Sequence, residues 1–216
     1  MKNYRVGIIG ATGMVGQRFA VLLENHPWFT VTALAASERS AGKTYREAVG
    51  KRWLMTTPMP KAMENKVIMD AEKDRDKIVK MVDFVFCAVN MDKQKTRELE
   101  EMYAKSECPV ISNNSANRLI SDVPMLIPEI NPGHADIIPF QRKRLGTKRG
   151  FIAVKPNCSI QAYVPAVTPL LDLNVTKILA CTYQAISGAG KTFATWPEMV
   201  DNVIPFIGGV NRKTSR

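Results

Sequence analysis

Two histidines, His26 and His134, are all that the sequence contains, and its four cysteines include no C-x-x-C pair. A protein zinc site gathers several such ligands at short spacings. Here Cys87, Cys108, Cys158 and Cys181 lie far apart, with no histidine at ligand spacing. They read as free thiols, and no metal is expected. No run approaches the roughly 18 apolar residues of a membrane span. Met1-Lys2-Asn3-Tyr4-Arg5 leads straight into a strand-like segment, with no apolar signal-peptide core or cleavage site behind it. A cytoplasmic protein with no membrane partner is expected. Aromatic residues are scarce, at 7%, and none interleave with basic residues as on an RNA-binding strand. The net charge of +10 therefore does not point to nucleic acid. Five of the 30 basic residues crowd into an exposed loop over 141–150, and Arg212, Lys213 and Arg216 lie in the last five positions. Such runs are usually solvated faces, and a phosphate-bearing small molecule needs only a few placed cations. Repeats and low-complexity tracts are absent, and 45% hydrophobic with 23% charged residues is the balance of a globular chain.

What the sequence does contain is an alternation of short apolar runs and amphipathic stretches. Arg5–Ile9 reads as a buried strand, followed by a turn and a helix on which Val15, Phe19, Leu22 and Leu23 recur at helical spacing until Pro27. Further strands are expected at 29–37, 66–70, 83–89 and 108–114, with helices at 74–82 and 91–107 between them. This order predicts a parallel sheet covered on both faces, an α/β fold of Rossmann-like type. Residues 127–134 read as a loop and 151–154 as a last strand. The stretch 174–187 is rich in β-branched and aromatic residues and predicts a strand of a separate, wider sheet. The domain boundary is expected near residue 155. A dinucleotide-binding domain would occupy 1–155, and 156–216 would be the incomplete start of an α+β domain, too short for an independent core.

Gly10, Gly13 and Gly16 form G-x-x-G-x-x-G directly after the first strand and at the opening of a helix. In that context glycine permits a tight turn, and the free N–H groups and helix dipole receive a pyrophosphate. The segment Gly10, Thr12, Gly13, Met14, Val15 and Gly16 is thus the candidate cofactor loop. A carboxylate at the end of the second strand would select NAD, whereas an arginine suits the 2′-phosphate of NADP. The sequence there is "ASERSAGK", which offers Ser37, Arg39 and Ser40, with Lys43 nearby; Glu38 is read as facing solvent. NADP is the expected cofactor. Farther on, "VKPNCSIQ" sets Cys158 between an apolar run ended by Pro156 and a helix over 159–171 that Asn157 can cap. Two readings compete for this thiol. Free cysteine is among the most buried residue types, but a helix N-terminus favours the reactive thiolate of a cysteine placed there.

Several motifs now occur in one order: "GATGMVGQ", "ASERSAGK", "SNNSANR" (112–118), "IPEINP", "PNCS" and "TYQAISGAG". Together, over nearly all of residues 4–209, they resemble aspartate-β-semialdehyde dehydrogenases of the branch found in archaea, fungi and some bacteria. The resemblance implies that Cys158 is the nucleophile, with Asn157 beside it helping to hold the acyl oxygen and Gln161 as the active-site glutamine. Arg118 corresponds to an arginine that binds phosphate, and Ser187, Gly188, Ala189 and Gly190 to a loop near the nicotinamide. Cys87 and Cys181 remain core residues on this reading. The implied reaction is phosphate-dependent and reversible. β-Aspartyl phosphate acylates Cys158, and NADPH reduces the thioester to aspartate semialdehyde, in the biosynthesis of aspartate-family amino acids. The alternatives are a related reductase of malonyl-CoA or N-acetylglutamyl phosphate, and a non-catalytic NADP-binding fragment. The family's acid–base histidine follows its cysteine, whereas His26 and His134 both precede Cys158. The chain therefore reads as the front part of a longer enzyme, truncated at the C-terminus, whose full-length form is a homo-oligomer.

Overall fold

The computed structural model describes residues 3–189 and 191–204. Six strands form one parallel sheet in the order β3-β2-β1-β4-β5-β6. They are β1 (Tyr4–Ile9), β2 (Phe29–Ala36), β3 (Met69–Asp70), β4 (Phe84–Cys87), β5 (Val110–Ser112) and β6 (Ile152–Val154). The connecting helices are α1 (Met14–Leu22), α2 (Tyr45–Val49), α3 (Lys61–Glu64), α4 (Arg75–Met81), α5 (Lys93–Lys105) and α6 (Ile138–Leu145). After β6 comes α7 (Cys158–Val167). The alternation expected from the sequence is present, and this is the doubly wound dinucleotide-binding topology.

The two-residue period of the strands divides the core. Val6 and Ile8 point to one face together with Val31 and Leu34, and Ala20, Leu23, Tyr45 and Met63 cover them. Val31 and Leu34 lie three apart because the β1–β2 register shifts just after Val31. Ile9, Ala33, Ala35 and Val85 point to the other, under Ile78, Leu99, Tyr103 and Leu145. Fully burying a side chain such as Ile8 or Ile78 contributes about 1.5–3 kcal/mol. Both faces are filled, so the apolar strands have no face left for water.

Two expectations are corrected by the structure. The basic stretch 141–150 is not all exposed loop, since its first half lies in α6. Gln141 is fully buried there: its amide donates to the carbonyls of Asp122 and Ile152 (both 2.9 Å) and accepts from the Ile152 N–H (2.6 Å). Gly146 then ends the helix with φ of 72°. The turn that follows is fixed by Glu107, whose carboxylate takes the N–H groups of Lys148, Arg149 and Gly150 at 2.5–3.1 Å. Those three donors pull its pKa down to about 2. Several cations of this stretch serve structure, as in the pairing of Arg144 with Asp122 and Glu101. The second correction concerns 174–187, where no strand occurs and Ile186–Ala189 forms a 3-10 turn. A strand exists only through a neighbour's hydrogen bonds, and no described residue supplies them to this stretch. Leu179 and Tyr183 are accordingly 95% and 85% exposed, and Cys181 is exposed rather than in a core.

The chain separates into two compact units, Met1–Pro169 and Leu170–Arg216. The first holds the whole sheet and α7. Within the second, Lys191 lies over the Trp196 ring at 5.7 Å, and the Thr195 hydroxyl donates to the Thr192 carbonyl at 3.0 Å. No described helix is long and apolar enough to cross a membrane.

Candidate functional site

The strand order reverses direction between β1 and β4, and the loops at their carboxyl ends diverge to leave a crevice. A cleft of about 470 Å³ occupies it, lined by Gly10, Thr12 and Gly13, by Ser37, Glu38 and Arg39 after β2, and by residues after β3 and β4. Gly10 has φ of +87°, and a Cβ on it would lie 2.5 Å from the Ala88 carbonyl oxygen. Gly13 is the N-cap of α1 and carries no capping side chain, so the helix presents its first N–H groups toward the cleft. Gln17, 1% exposed, clamps the loop from behind. Its amide donates to the carbonyls of Thr12 (3.0 Å) and Arg52 (2.9 Å) and accepts from the Leu54 N–H (2.8 Å). The Tyr45 hydroxyl donates to the Ala11 carbonyl at 3.0 Å.

The chemistry of this cleft fits a dinucleotide phosphate: backbone donors, a helix N-terminus and a cation at the rim. Arg39 is exposed and forms no ion pair among the described residues, whereas Glu38 pairs with Lys73. The Asp70 carboxylate is engaged by the N–H groups of Glu72 (2.9 Å) and Lys73 (2.8 Å). Other expected positions stand apart from the cleft wall: Ser40 is buried, and Met14 and Val15 lie on α1 outside the lining.

The second group of residues lies at the ends of β5 and β6. Asn157 caps α7, its side-chain oxygen accepting from the Ile160 N–H at 2.8 Å. Its amide NH₂ has no hydrogen-bond partner among the described residues. Cys158 opens the helix and is exposed, so the reading as a buried hydrophobe fails for it. Gln161, one turn on, shares its side of the helix and is also exposed. Arg118 reaches this corner, with Nε donating to the Lys155 carbonyl (3.0 Å) and a terminal nitrogen donating to the Asn113 carbonyl (3.3 Å). Burial lowers the pKa of Arg118, and a negative charge on Cys158 acts against that shift. Lys155 is lowered by burial first and then by the Arg118 cation, again opposed by Cys158. Arg118 is thus held on the carbonyl of Lys155, three residues before Cys158 in the chain.

The loop between Ser112 and Arg118 is fixed by a carboxylate that the sequence reading did not single out. Glu100, 1% exposed, accepts from the Ser112 hydroxyl (2.5 Å), the Asn114 amide (3.0 Å) and the Asn117 amide (2.7 Å). The signal was present: Thr96, Leu99, Glu100, Tyr103 and Ala104 follow the i, i+3, i+4 pattern, which sets this acid inside the apolar stripe of α5. Lys155 was passed over as well. Both histidines are engaged by backbone groups. The His26 Nδ1 accepts from the Trp28 N–H, and His134 Nδ1 lies 3.2 Å and 3.1 Å from the Met125 nitrogen and oxygen. Ser187, Gly188 and Ala189 form the 3-10 turn of the second unit, and Gly190 lies outside the described residues.

Comparison with known proteins gives consistent matches. The family described as "Semialdehyde dehydrogenase, NAD binding domain" matches residues 5–138. An aspartate-semialdehyde dehydrogenase of Archaeoglobus fulgidus is 42% identical over 212 residues, covering 98% of this chain and 59% of that protein. The Aspergillus fumigatus protein of the same name is 40% identical, covering 97% of this chain and 56% of its own length. Among solved structures, aspartate semialdehyde dehydrogenase with NADP from Candida albicans aligns with a TM-score of 0.78 at 33% identity. That alignment covers 96% of this chain and 57% of the other. The chain thus spans less than two thirds of the relatives that it matches.

Proposed function

This chain belongs to the semialdehyde dehydrogenase family, and on that premise we propose that it carries the NADP-binding and nucleophile-bearing part of an aspartate-semialdehyde dehydrogenase. The observation that carries this reading is an exposed cysteine on the first turn of an Asn-capped helix, at the carboxyl edge of a dinucleotide-type sheet, beside Arg118. In the proposed reaction the Cys158 sulfur attacks the acyl carbon of β-aspartyl phosphate. A C–S bond forms, the C–O bond to phosphate breaks, and the electron pair leaves with the phosphate. Arg118 holds that phosphate. The N–H groups of the first turn of α7 and the side-chain amide of Asn157 face the oxygen on which charge develops, and Gln161 lines the same side. NADPH, when bound, supplies the hydride that takes the acyl group to the aldehyde level. Gly10, Gly13 and the N-terminus of α1 hold its pyrophosphate, and Ser37 and Arg39 its 2′-phosphate. The nicotinamide loop is assigned to Ser187–Gly190. Residues from 156 onward begin the catalytic domain, and assembly with a second copy and a cytoplasmic location belong to the same proposal.

Two measurements test this. Incubated with β-aspartyl phosphate, the chain should gain an aspartyl group on the Cys158 peptide, read by mass spectrometry, with release of an equal amount of phosphate. Cys158→Ala should show neither, and acylation that survives that change would remove the nucleophile from the proposal. For the cofactor, Arg39→Ala should weaken NADPH binding by about tenfold or more while leaving NADH nearly unchanged, since one charge-assisted contact is lost. Equal losses in a fluorescence titration would refute the assignment of the 2′-phosphate.

A further inference from the structure

In the first unit Arg5 meets Asp83 and Arg144 meets Asp122, while the half-buried Arg97 and Arg142 donate instead to the carbonyls of Ala116 and Arg149. Arg118 and Lys155 meet no carboxylate among the described residues either, and unlike those two they are joined directly, Arg118 Nε resting on the Lys155 carbonyl at 3.0 Å. Both are half-buried, and the hydrogen bonds that they donate go to backbone carbonyls: Arg118 to Lys155 and Asn113, and the Lys155 ammonium to Pro156 at 3.1 Å. Neither forms an ion pair among the described residues. Two like charges partly withdrawn from water, and joined through the backbone of residue 155, repel each other and lose hydration. Such an arrangement becomes favourable when an anion sits between them. The chain direction fixes where that anion would be, because Lys155 stands three residues before Cys158 and Arg118 is anchored on the carbonyl of Lys155.

We infer that Lys155 is a second phosphate-binding residue of this site, and that with Arg118 it makes the site selective for a dianionic phosphate leaving group. This rests on the function proposed above and narrows it, since a pair of cations favours acyl phosphates over acyl-CoA thioesters. The phosphate of the acyl donor lies against both cations. It leaves with the C–O electron pair as Cys158 takes the acyl group, and no oxidant or reductant enters this step. Lys155 acts by binding the departing group and need not transfer a proton.

Alkylation of Cys158 reads this without turnover. Iodoacetate and iodoacetamide differ in charge, and the Cys158 peptide is followed by mass spectrometry because Cys181 is exposed as well. In the wild type, inorganic phosphate should protect Cys158 from iodoacetamide, and iodoacetate should react disproportionately fast. Lys155→Met should raise the phosphate concentration for half-protection by about tenfold and lower the iodoacetate-to-iodoacetamide rate ratio. Lys155→Arg should restore both, which a merely structural lysine would not require. Unchanged protection in Lys155→Met, or no protection in the wild type, overturns the inference. Acylation by β-aspartyl phosphate reads the proposed function independently, so a chain that is acylated normally but fails here loses only the role of Lys155.

Discussion

Gly16→Ala should abolish NADPH binding and lower the melting temperature by several degrees, although alanine is the better helix former. In the middle of a helix that exchange ordinarily stabilises by about 1 kcal/mol. The site forbids it. A Cβ on Gly16 would stand 2.2 Å from the Gly10 carbonyl oxygen and 2.7 Å from Ala11 Cα, and both are backbone atoms. Relief requires the loop or α1 to move, and overpacking of this kind costs about 1–3 kcal/mol or more. The loop cannot move freely. Gly10 and Ala11 both donate to the Ala35 carbonyl (2.8 and 3.0 Å), and Gln17 ties Thr12 to the segment after α2. With a net loss on the order of 2 kcal/mol and roughly 2–4 °C per kcal/mol for a chain of this size, a fall of about 4–8 °C is expected by calorimetry. Gly13→Ala is the informative control. Its Cβ would meet the Gly10 oxygen at 3.5 Å, an ordinary contact, and its φ of −75° suits any residue. It should fold like the wild type and lose affinity only through the space it takes from a bound phosphate. A Gly16→Ala protein with unchanged melting temperature and NADPH titration would mean that α1 and the loop are not packed as described.

The parts of this fold that were legible in the sequence are those with a local cause. β1 and the glycine loop follow from an apolar run, three glycines and the helix behind them. The cap of α7 follows from Asn157 preceding an apolar stretch after Pro156. The failures have a different origin. Residues 174–187 have strand composition, but pairing depends on residues distant in the chain, and none described provides it. The segment 141–150 reads as basic loop because its charges dominate its composition. The decisive contact there is Gln141 reaching Ile152 across the turn, a tertiary fact. Lys155 and Glu100 were missed for a related reason. Each is an ordinary charged residue by type and becomes special only by burial, and burial of a charge is decided by what packs over it. Helical phase could have flagged Glu100; no local pattern distinguishes Lys155.

Glu100→Ala is the second change with a large expected effect, and it links the core to the candidate site. The carboxylate accepts from Ser112, Asn114 and Asn117, and Asn114 also lies 3.5 Å from the buried Cys87 sulfur. Each buried donor left without an acceptor costs about 1–3 kcal/mol. The Ser112 hydroxyl can turn elsewhere, but the two amides cannot both find new partners, so a loss on the order of 3–5 kcal/mol is expected. At roughly 2–4 °C per kcal/mol the melting temperature should fall by about 10 °C. Glu100→Gln separates the causes. It keeps the volume and one acceptor oxygen but turns an NH₂ toward donors, so it should still be clearly destabilised, though less than Glu100→Ala. If loss of packing alone mattered, the glutamine would behave as the wild type. The consequence for the site follows from the chain path. Asn113 accepts from Arg118, so a loop released from Glu100 no longer holds the guanidinium toward Cys158. Phosphate protection of Cys158 should therefore weaken in Glu100→Gln even at temperatures where the sheet is fully folded. A variant destabilised by the predicted amount, yet with wild-type protection, would confine Glu100 to the core and detach it from the placement of Arg118.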